Sequence, residues 1–481
     1  MPRYPKLTPP LIPAPRTVIW HRPDAQLPSP FYLLLPEEQL TALWPLSNAF
    51  QQEISREIGI EVMITTRLPL NAGFWAAVDC SAVRLRHEQG YRLEIDEKQI
   101  RIGAKNAIGA AYGLQTLKQI ILFSGRTLPT CYITDWPDST ERSIAFHFTN
   151  GRTQTLQNLS AWVDRMAALK YNRLDLFFLQ NKEDENIPQQ FSEEELYQLT
   201  LYAAGQFIKV IAHQQDTMQD VMASDHLAYG NCFLENTVSG ATDLAIQALS
   251  ETAEQNLTAA SEGILVDLQP AKGWPACEAV CYYPFVFAAG IFWCWESNLE
   301  NDIFPWLDAV LLQERSGSAG KLLRDLGNCY QGLQSRDARK LSIWPGDLLS
   351  ENFEAYLETL GQLDPVSLDD FIAKVQTEHA QLSYLEMRVT NGVQTLAELE
   401  NTCRLLLLAA ELARLKLLLL QGIQPDAMLC AKLAKEYRGE RIRWNMLWYR
   451  RHKPASDITM QESYQWQVSN LLLKLTEQKQ L

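Results

Sequence analysis

Apolar and polar residues alternate along Gly59-Ile60-Glu61-Val62-Met63-Ile64 and again from Tyr91 to Ile102. A period of two predicts strands with one buried face, and Asp96-Glu97-Lys98 marks a hairpin turn inside the second stretch. From Glu37 to Glu57 and from Asn106 to Phe123 the spacing becomes helical, the latter placing Ile108, Ala111, Leu114, Leu117 and Ile120 or Ile121 on one face. These elements make a mixed α/β unit ending near residue 130. Beyond Ile133, strands over 143–148, 173–179 and 208–212 alternate with helices over 155–169 and 192–205. That rhythm, roughly 30 residues per unit, predicts parallel strands joined by right-handed crossovers, with a barrel as the natural candidate. From about Leu341 onward strand signals nearly vanish and Leu, Glu, Ala, Lys and Arg recur at helical spacing. The expected division is a proline-rich arm over 1–16, an α/β domain over 17–130, a shortened (β/α) barrel over 131–335 and a helical domain over 336–481.

Bulk properties narrow the class further. A chain of 481 residues exceeds the ~250 to 300 at which single cores stop growing, so two or three domains are expected. The formal charge of -14 opposes the phosphates of nucleic acid and the anionic face of a membrane, and neither is expected as a partner. Met1 leads into prolines at 9, 10, 13 and 15, not into the apolar stretch of a secretory signal, which predicts a cytoplasmic location. Nine cysteines, odd in number and never in a CxxC pair, suggest neither a disulfide framework nor a zinc cluster. The longest apolar run, Leu405 to Leu420, contains Glu411, Arg414 and Lys416 and reads as a core helix, not a membrane span.

Several strings carry a resemblance. Ile100-Arg101-Ile102-Gly103-Ala104 followed by Gly109-Ala110-Ala111-Tyr112-Gly113-Leu114-Gln115-Thr116-Leu117-Lys118-Gln119 resembles the end of the N-terminal domain of family 20 β-N-acetylhexosaminidases. At the expected distance come Ile133-Thr134-Asp135-Trp136-Pro137 and Arg142-Ser143, which resemble the opening of that family's catalytic barrel. Val163-Asp164-Arg165-Met166-Ala167 and Leu169-Lys170-Tyr171-Asn172 are similar to its first barrel helix and second strand. Gly263-Ile264-Leu265-Val266 and Tyr282 to Trp293 are similar to its last strand and closing helix. The resemblance covers roughly residues 90 to 300. It implies an α/β protein in which an N-terminal hexosaminidase-like domain precedes an incomplete TIM-type barrel and an α-helical C-terminal domain.

Family enzymes remove terminal N-acetylhexosamines with an adjacent Asp-Glu pair after the fourth barrel strand. The Glu protonates the leaving oxygen and the Asp orients the substrate's acetamido group, with no metal or organic cofactor. Here Arg142 to Trp295 spans 154 residues, against ~250 for a typical eight-unit barrel. About three units are missing, in the stretch where the catalytic pair belongs. The Asp expected five residues after Arg142 is His147, and the Arg expected after eight is Asn150. The resemblance therefore implies a homologue without standard hydrolysis that serves as a binding or structural component contacting N-acetylhexosamine. The alternative is a working glycosidase with a rebuilt carboxylate site. A shortened barrel exposes strand edges, so a homodimer or partner chain covering them is also expected.

Candidate residues follow. Arg142, at the expected barrel mouth, has the forked donors to hold two sugar hydroxyls; its plainer reading is an ion-pairing Arg at a strand start. Asp184 and Glu185 follow a predicted strand and are the candidate rebuilt carboxylates, with an exposed charged loop as the competing reading. His147 and His213, with Asp175 or Asp216, offer an acid/base or metal pair, or structural histidines. Asn236 lies in a string resembling a late barrel loop, and Trp274 and Tyr283 belong to an aromatic-rich stretch that reads either as a saccharide wall or as core.

Overall fold

The computed structural model describes residues 8–70, 72–81, 85, 87–148, 154–179, 191–215, 229–233, 242–259, 263–267, 278–314, 317–336, 353–385 and 390–452, with positions 468, 470, 472 and 473. Asp184, Glu185, Asp216, Asn236 and Trp274 lie outside the described residues.

The N-terminal unit is a seven-stranded mixed sheet with two helices on one face. Its strands are β1 (Thr17–Gln26), β2 (Phe31–Leu34), β3 (Val62–Thr65), β4 (Trp75–Asp79), β5 (Tyr91–Ile95), β6 (Gln99–Ala104) and β7 (Thr127–Asp135), in the order β1-β7-β5-β6-β4-β2-β3. The Asp96 turn joins β5 to β6 as an antiparallel hairpin, its carboxylate accepting from the Lys98 and Gln99 amides. Helix α1 (Leu40–Ile58) ends on Gly59 at φ +70°, a left-handed stop that glycine adopts without steric cost. Helix α2 (Ala107–Ser124) is capped by the Asn106 side chain, which accepts from the Gly109 amide. The sequence pattern did not reveal β1. It is an edge strand, mostly exposed and carrying Pro23 beside an irregular register between His21 and Ala25, so it has no clean alternation to detect.

Helix α2 lies so close to this sheet that two glycines are required. A Cβ on Gly109 would stand 2.4 Å from the Gly90 carbonyl oxygen, and one on Gly113 2.6 Å from Ile102. The Gly90 contact is with backbone and cannot swing aside. Gly109→Ala is therefore expected to destabilise the chain by about 1 to 3 kcal/mol, read as a lowered thermal midpoint; an unchanged midpoint would show that the helix can lift at no cost.

Among the described residues, the second unit is a five-stranded parallel sheet in the order β10-β9-β8-β12-β11. It comprises β8 (Glu141–Phe148), β9 (Arg173–Leu179), β10 (Lys209–Gln215), β11 (Tyr229–Phe233) and β12 (Gly263–Asp267). Between them run α3 (Leu156–Ala168), α4 (Glu193–Gly205) and α5 (Thr242–Ala259), followed by α6 (Tyr282–Trp293). Ser192 and Glu195 close a capping box on α4, and Thr155 caps α3. Every residue of α6 is buried, as expected of a helix apolar all round. Further helices among the described residues are α7 (Ala319–Asn328), α8 (Phe353–Gly361), α9 (Pro365–Gln381), α10 (Thr390–Leu420) and α11 (Ala427–Arg451).

One apolar core runs from Ile144 on β8 through α3 and α6 to Leu406 on α10 and Leu433 on α11. The C-terminal helices thus share the parallel sheet's core. They are pinned there by Arg451, whose guanidinium donates to Glu398 at 2.5 and 3.0 Å and to Asn158 on α3 at 3.3 Å. Among the described residues no helix is long and apolar enough to cross a membrane.

Candidate functional site

Alternation along β8 and β9 sends Ile144, Phe146, Leu174 and Leu176 into the helix-covered core. Ser143, Ala145, Arg173, Asp175 and Phe177 go to the opposite face. There Asp175, fully buried, collects three donors. Arg173 donates to both of its oxygens at 2.8 Å, the Ser143 hydroxyl donates to Oδ2, and His213 Nε2 stands 2.6 Å from Oδ1. The register explains the convergence. Ala145 and Ile211 flank Asp175 directly, so Ser143 and His213 reach it diagonally, one position to either side on the same face. Arg173 also donates to Glu141 at 2.7 Å, and the His213 ring stacks on Phe177 with centroids 4.4 Å apart.

The electrostatics of this cluster follow from its burial. Removal from water would by itself raise the Asp175 carboxyl, but the bonds from His213, Arg173 and Ser143 overcome it and hold the group below the ordinary range. Burial likewise opposes the charge on Arg173, and the Asp175 and Glu141 carboxylates reverse it, raising its pKa. A carboxylate held down in this way orients the imidazole bonded to it. It is a poor general acid, because it stays ionised. Ser143 bonds to Asp175, so these contacts give it no imidazole base of the kind a serine nucleophile uses. Among the described residues no group of three His, Cys, Asp or Glu side chains could hold a metal ion.

Arg142 has a different setting from the barrel mouth expected for it. It lies at the N-terminal end of β8, only 1% exposed, and all of its N–H groups are directed at protein oxygens. Nε donates to the Lys170 carbonyl at 2.9 Å. Nη1 donates to Gln89 Oε1, the Ser139 carbonyl and the Thr140 carbonyl, and Nη2 to the Tyr112 hydroxyl and the Lys170 carbonyl. The guanidinium also lies 4.9 Å from the Trp293 ring centroid. It therefore ties α2 of the first unit to β8 of the second and has no donor left for a sugar. The chemistry of parallel-strand proteins gathers at the opposite, C-terminal strand ends.

Beside Arg142 is a buried junction that the sequence reading quoted as motif but did not interpret. Asp135, at the end of β7, accepts from the Tyr91 hydroxyl at 2.7 Å, Trp293 Nε1 at 2.8 Å, Lys170 Nζ at 3.1 Å and the Arg16 amide at 3.1 Å. Lys170 is fully buried and follows α3 at φ +62°, where glycine is the usual residue. Burial pulls the Lys170 ammonium below its usual pKa, and Asp135 opposes that shift. Tyr283, expected as a sugar contact, packs on Phe304 with centroids 5.2 Å apart and is 8% exposed, so it is core. Trp293 is also core, which resolves this part of the aromatic stretch in favour of packing.

These features define a class: an α/β chain whose small sheet domain is fixed by a buried charge junction to a parallel-strand unit. Residues 8–136 match the family model for glycosyl hydrolase family 20, domain 2, so the N-terminal unit is similar to that family's second domain. Similar solved structures include the family 20 exo-β-N-acetylglucosaminidase of Vibrio harveyi in complex with N-acetylglucosamine, at 15% identity over 44% of this chain and 37% of that one, with TM-score 0.35. The β-N-acetylhexosaminidase of Bacteroides fragilis is 19% identical over 42% of this chain and 44% of that one, with TM-score 0.32. A Streptomyces plicatus β-hexosaminidase mutant in complex with product is 17% identical over 44% and 46%, with TM-score 0.36. The chain spans less than half the length of each of these proteins. No curated protein matches it.

Proposed function

We propose that this chain is a family 20-like protein that has lost standard hexosaminidase hydrolysis and acts as a binding or structural component recognising N-acetylhexosamine. The observation that carries the reading is the state of Asp175. It is a fully buried carboxylate on the face of the parallel sheet turned away from the helices, and Arg173, His213 and Ser143 hold it ionised. Acid catalysis needs the reverse, a carboxyl kept protonated near neutral pH. The strand order supports the shortened-barrel part of the proposal. β12, late in the chain, pairs with β8, the first parallel strand, as last and first strands do when a barrel closes. In this reading β10 and β11 are the borders of the missing units.

The binding part is tested by titrating N-acetylglucosamine into the full chain by calorimetry and analysing the recovered sugar. Saturable heat with the sugar unchanged is expected. An absence of saturable heat would remove amino-sugar recognition from the proposal.

A further inference from the structure

A cleft of about 410 Å³ opens where the helical layers of the two units meet, between α1 and α2 on one side and α3 and α4 on the other, with the start of α10 at its rim. It is remote in the fold from the Asp175 cluster, which lies on the opposite face of the parallel sheet from α3 and α4. Its volume falls within the ~300 to 1,000 Å³ of small-molecule sites. We propose that this cleft binds a small, uncharged polyhydroxyl compound bridging the two units. The proposal is independent of the amino-sugar reading above.

Two observations carry it. The first is Gln115 on α2, which lines the cleft and is 5% exposed. Its Oε1 is buried and accepts no hydrogen bond from the protein. A buried acceptor without a donor costs about 1 to 3 kcal/mol, and Oε1, which has almost no accessible surface as placed, meets a donor seated in the cleft once the side-chain amide turns toward it. The second is the arrangement of charge around it. Lys118 pairs with Glu53 at 2.9 Å, the Tyr202 hydroxyl donates to Asp164 at 2.6 Å, and the Arg165 guanidinium stands 5.1 Å from the centroids of both Trp162 and Tyr282. Cations and carboxylates are interspersed, so a ligand of either net charge would meet repulsion at some part of the wall. Hydroxyl groups both donate and accept, and can satisfy donors and acceptors that alternate at this spacing. A ring of hydroxyls is the simplest chemistry that fits both Gln115 and the paired charges.

The test uses the full chain with myo-inositol, glucose and mannitol as probes, read by calorimetry and thermal melting. At least one probe is expected to bind saturably and to raise the midpoint by about 2 to 5 °C well above its dissociation constant. Gln115→Leu, which keeps the shape and removes the acceptor, should weaken that binding about five- to ten-fold. Ala161→Phe, which fills the cleft from α3, should abolish it. The unliganded midpoint of each variant is its own baseline for folding. If none of the three probes binds saturably, the cleft holds solvent only and the proposal fails; binding at wild-type strength in both variants would place the ligand elsewhere and also overturn it. Repeating the N-acetylglucosamine titration with Ala161→Phe separates the two readings: heat that survives in this variant belongs to the proposed function, and heat lost with it belongs to the cleft.

Discussion

Replacing Lys170 with methionine should cost about 3 to 5 kcal/mol of stability, measured as a fall in the denaturation midpoint, because it leaves a buried carboxylate without its cation. Asp135 and Lys170 are both fully buried, 3.1 Å apart, at the seam where β7, α3 and α6 meet. The Tyr91, Trp293 and Arg16 donors remain in the variant, yet they supply no compensating charge. The double variant Asp135→Asn/Lys170→Met should recover much of the loss, since a neutral pair of similar shape avoids the buried charge. Lys170→Gly separates a second contribution. It relieves the left-handed backbone at φ +62° but still removes the ion pair, so it should fall between the methionine variant and the native chain. A Lys170→Met midpoint equal to the native value would show that the junction does not hold the units together.

The largest stabilising change is expected at Asp308→Asn. Asp308 is 1% exposed and accepts from the Gly320 amide at 2.5 Å near the start of α7. Burial raises its pKa to about 6 from 3.8, with Glu314 and Asp302 adding like-charge repulsion and the Gly320 amide working against the shift. A carboxyl whose folded pKa lies above its unfolded one binds its proton more tightly when folded. Its stabilising contribution is complete below the unfolded value near pH 3.8 and is lost as pH rises through about 6. At pH 7 the buried charge therefore remains as a cost of about 2 to 3 kcal/mol. Asparagine keeps an oxygen for the Gly320 amide and carries no charge. The variant should be more stable than the native chain at pH 7 and equal to it near pH 4. A stabilisation independent of pH would assign the effect to packing instead.

What the sequence revealed depended on burial pattern. The Tyr91–Ile102 hairpin and α3 were legible because each buries one regular face, and periods of 2 or 3.6 follow from that, whereas α2 is buried nearly all round and Ile108, expected on its apolar face, is exposed. The parallel unit was legible from the alternation of short apolar runs with helical spacing, its central strands β8 and β9 being buried on both faces. β1 was not, since an exposed edge strand places no demand on alternation. Sites were harder to read. His213 and Asp175 were named as a pair of candidates, but 38 positions separate them, and only the β9–β10 register brings Nε2 to within 2.6 Å of Oδ1. Arg142 was read through its guanidinium's capacity for sugar hydroxyls; residue type alone cannot say that Lys170, Ser139, Thr140, Gln89 and Tyr112 already occupy every donor. The Asp135–Lys170 junction was quoted within two separate strings, and nothing in either one signalled that they meet.

Loss of standard hydrolysis is tested most directly by measuring release of the aryl group from an aryl N-acetyl-β-glucosaminide, and from its galactosaminide counterpart, by the folded full chain. The expected result is no turnover above buffer. Turnover that survives Asp175→Asn and disappears in Asp184→Asn/Glu185→Gln would contradict the account and establish a rebuilt carboxylate site.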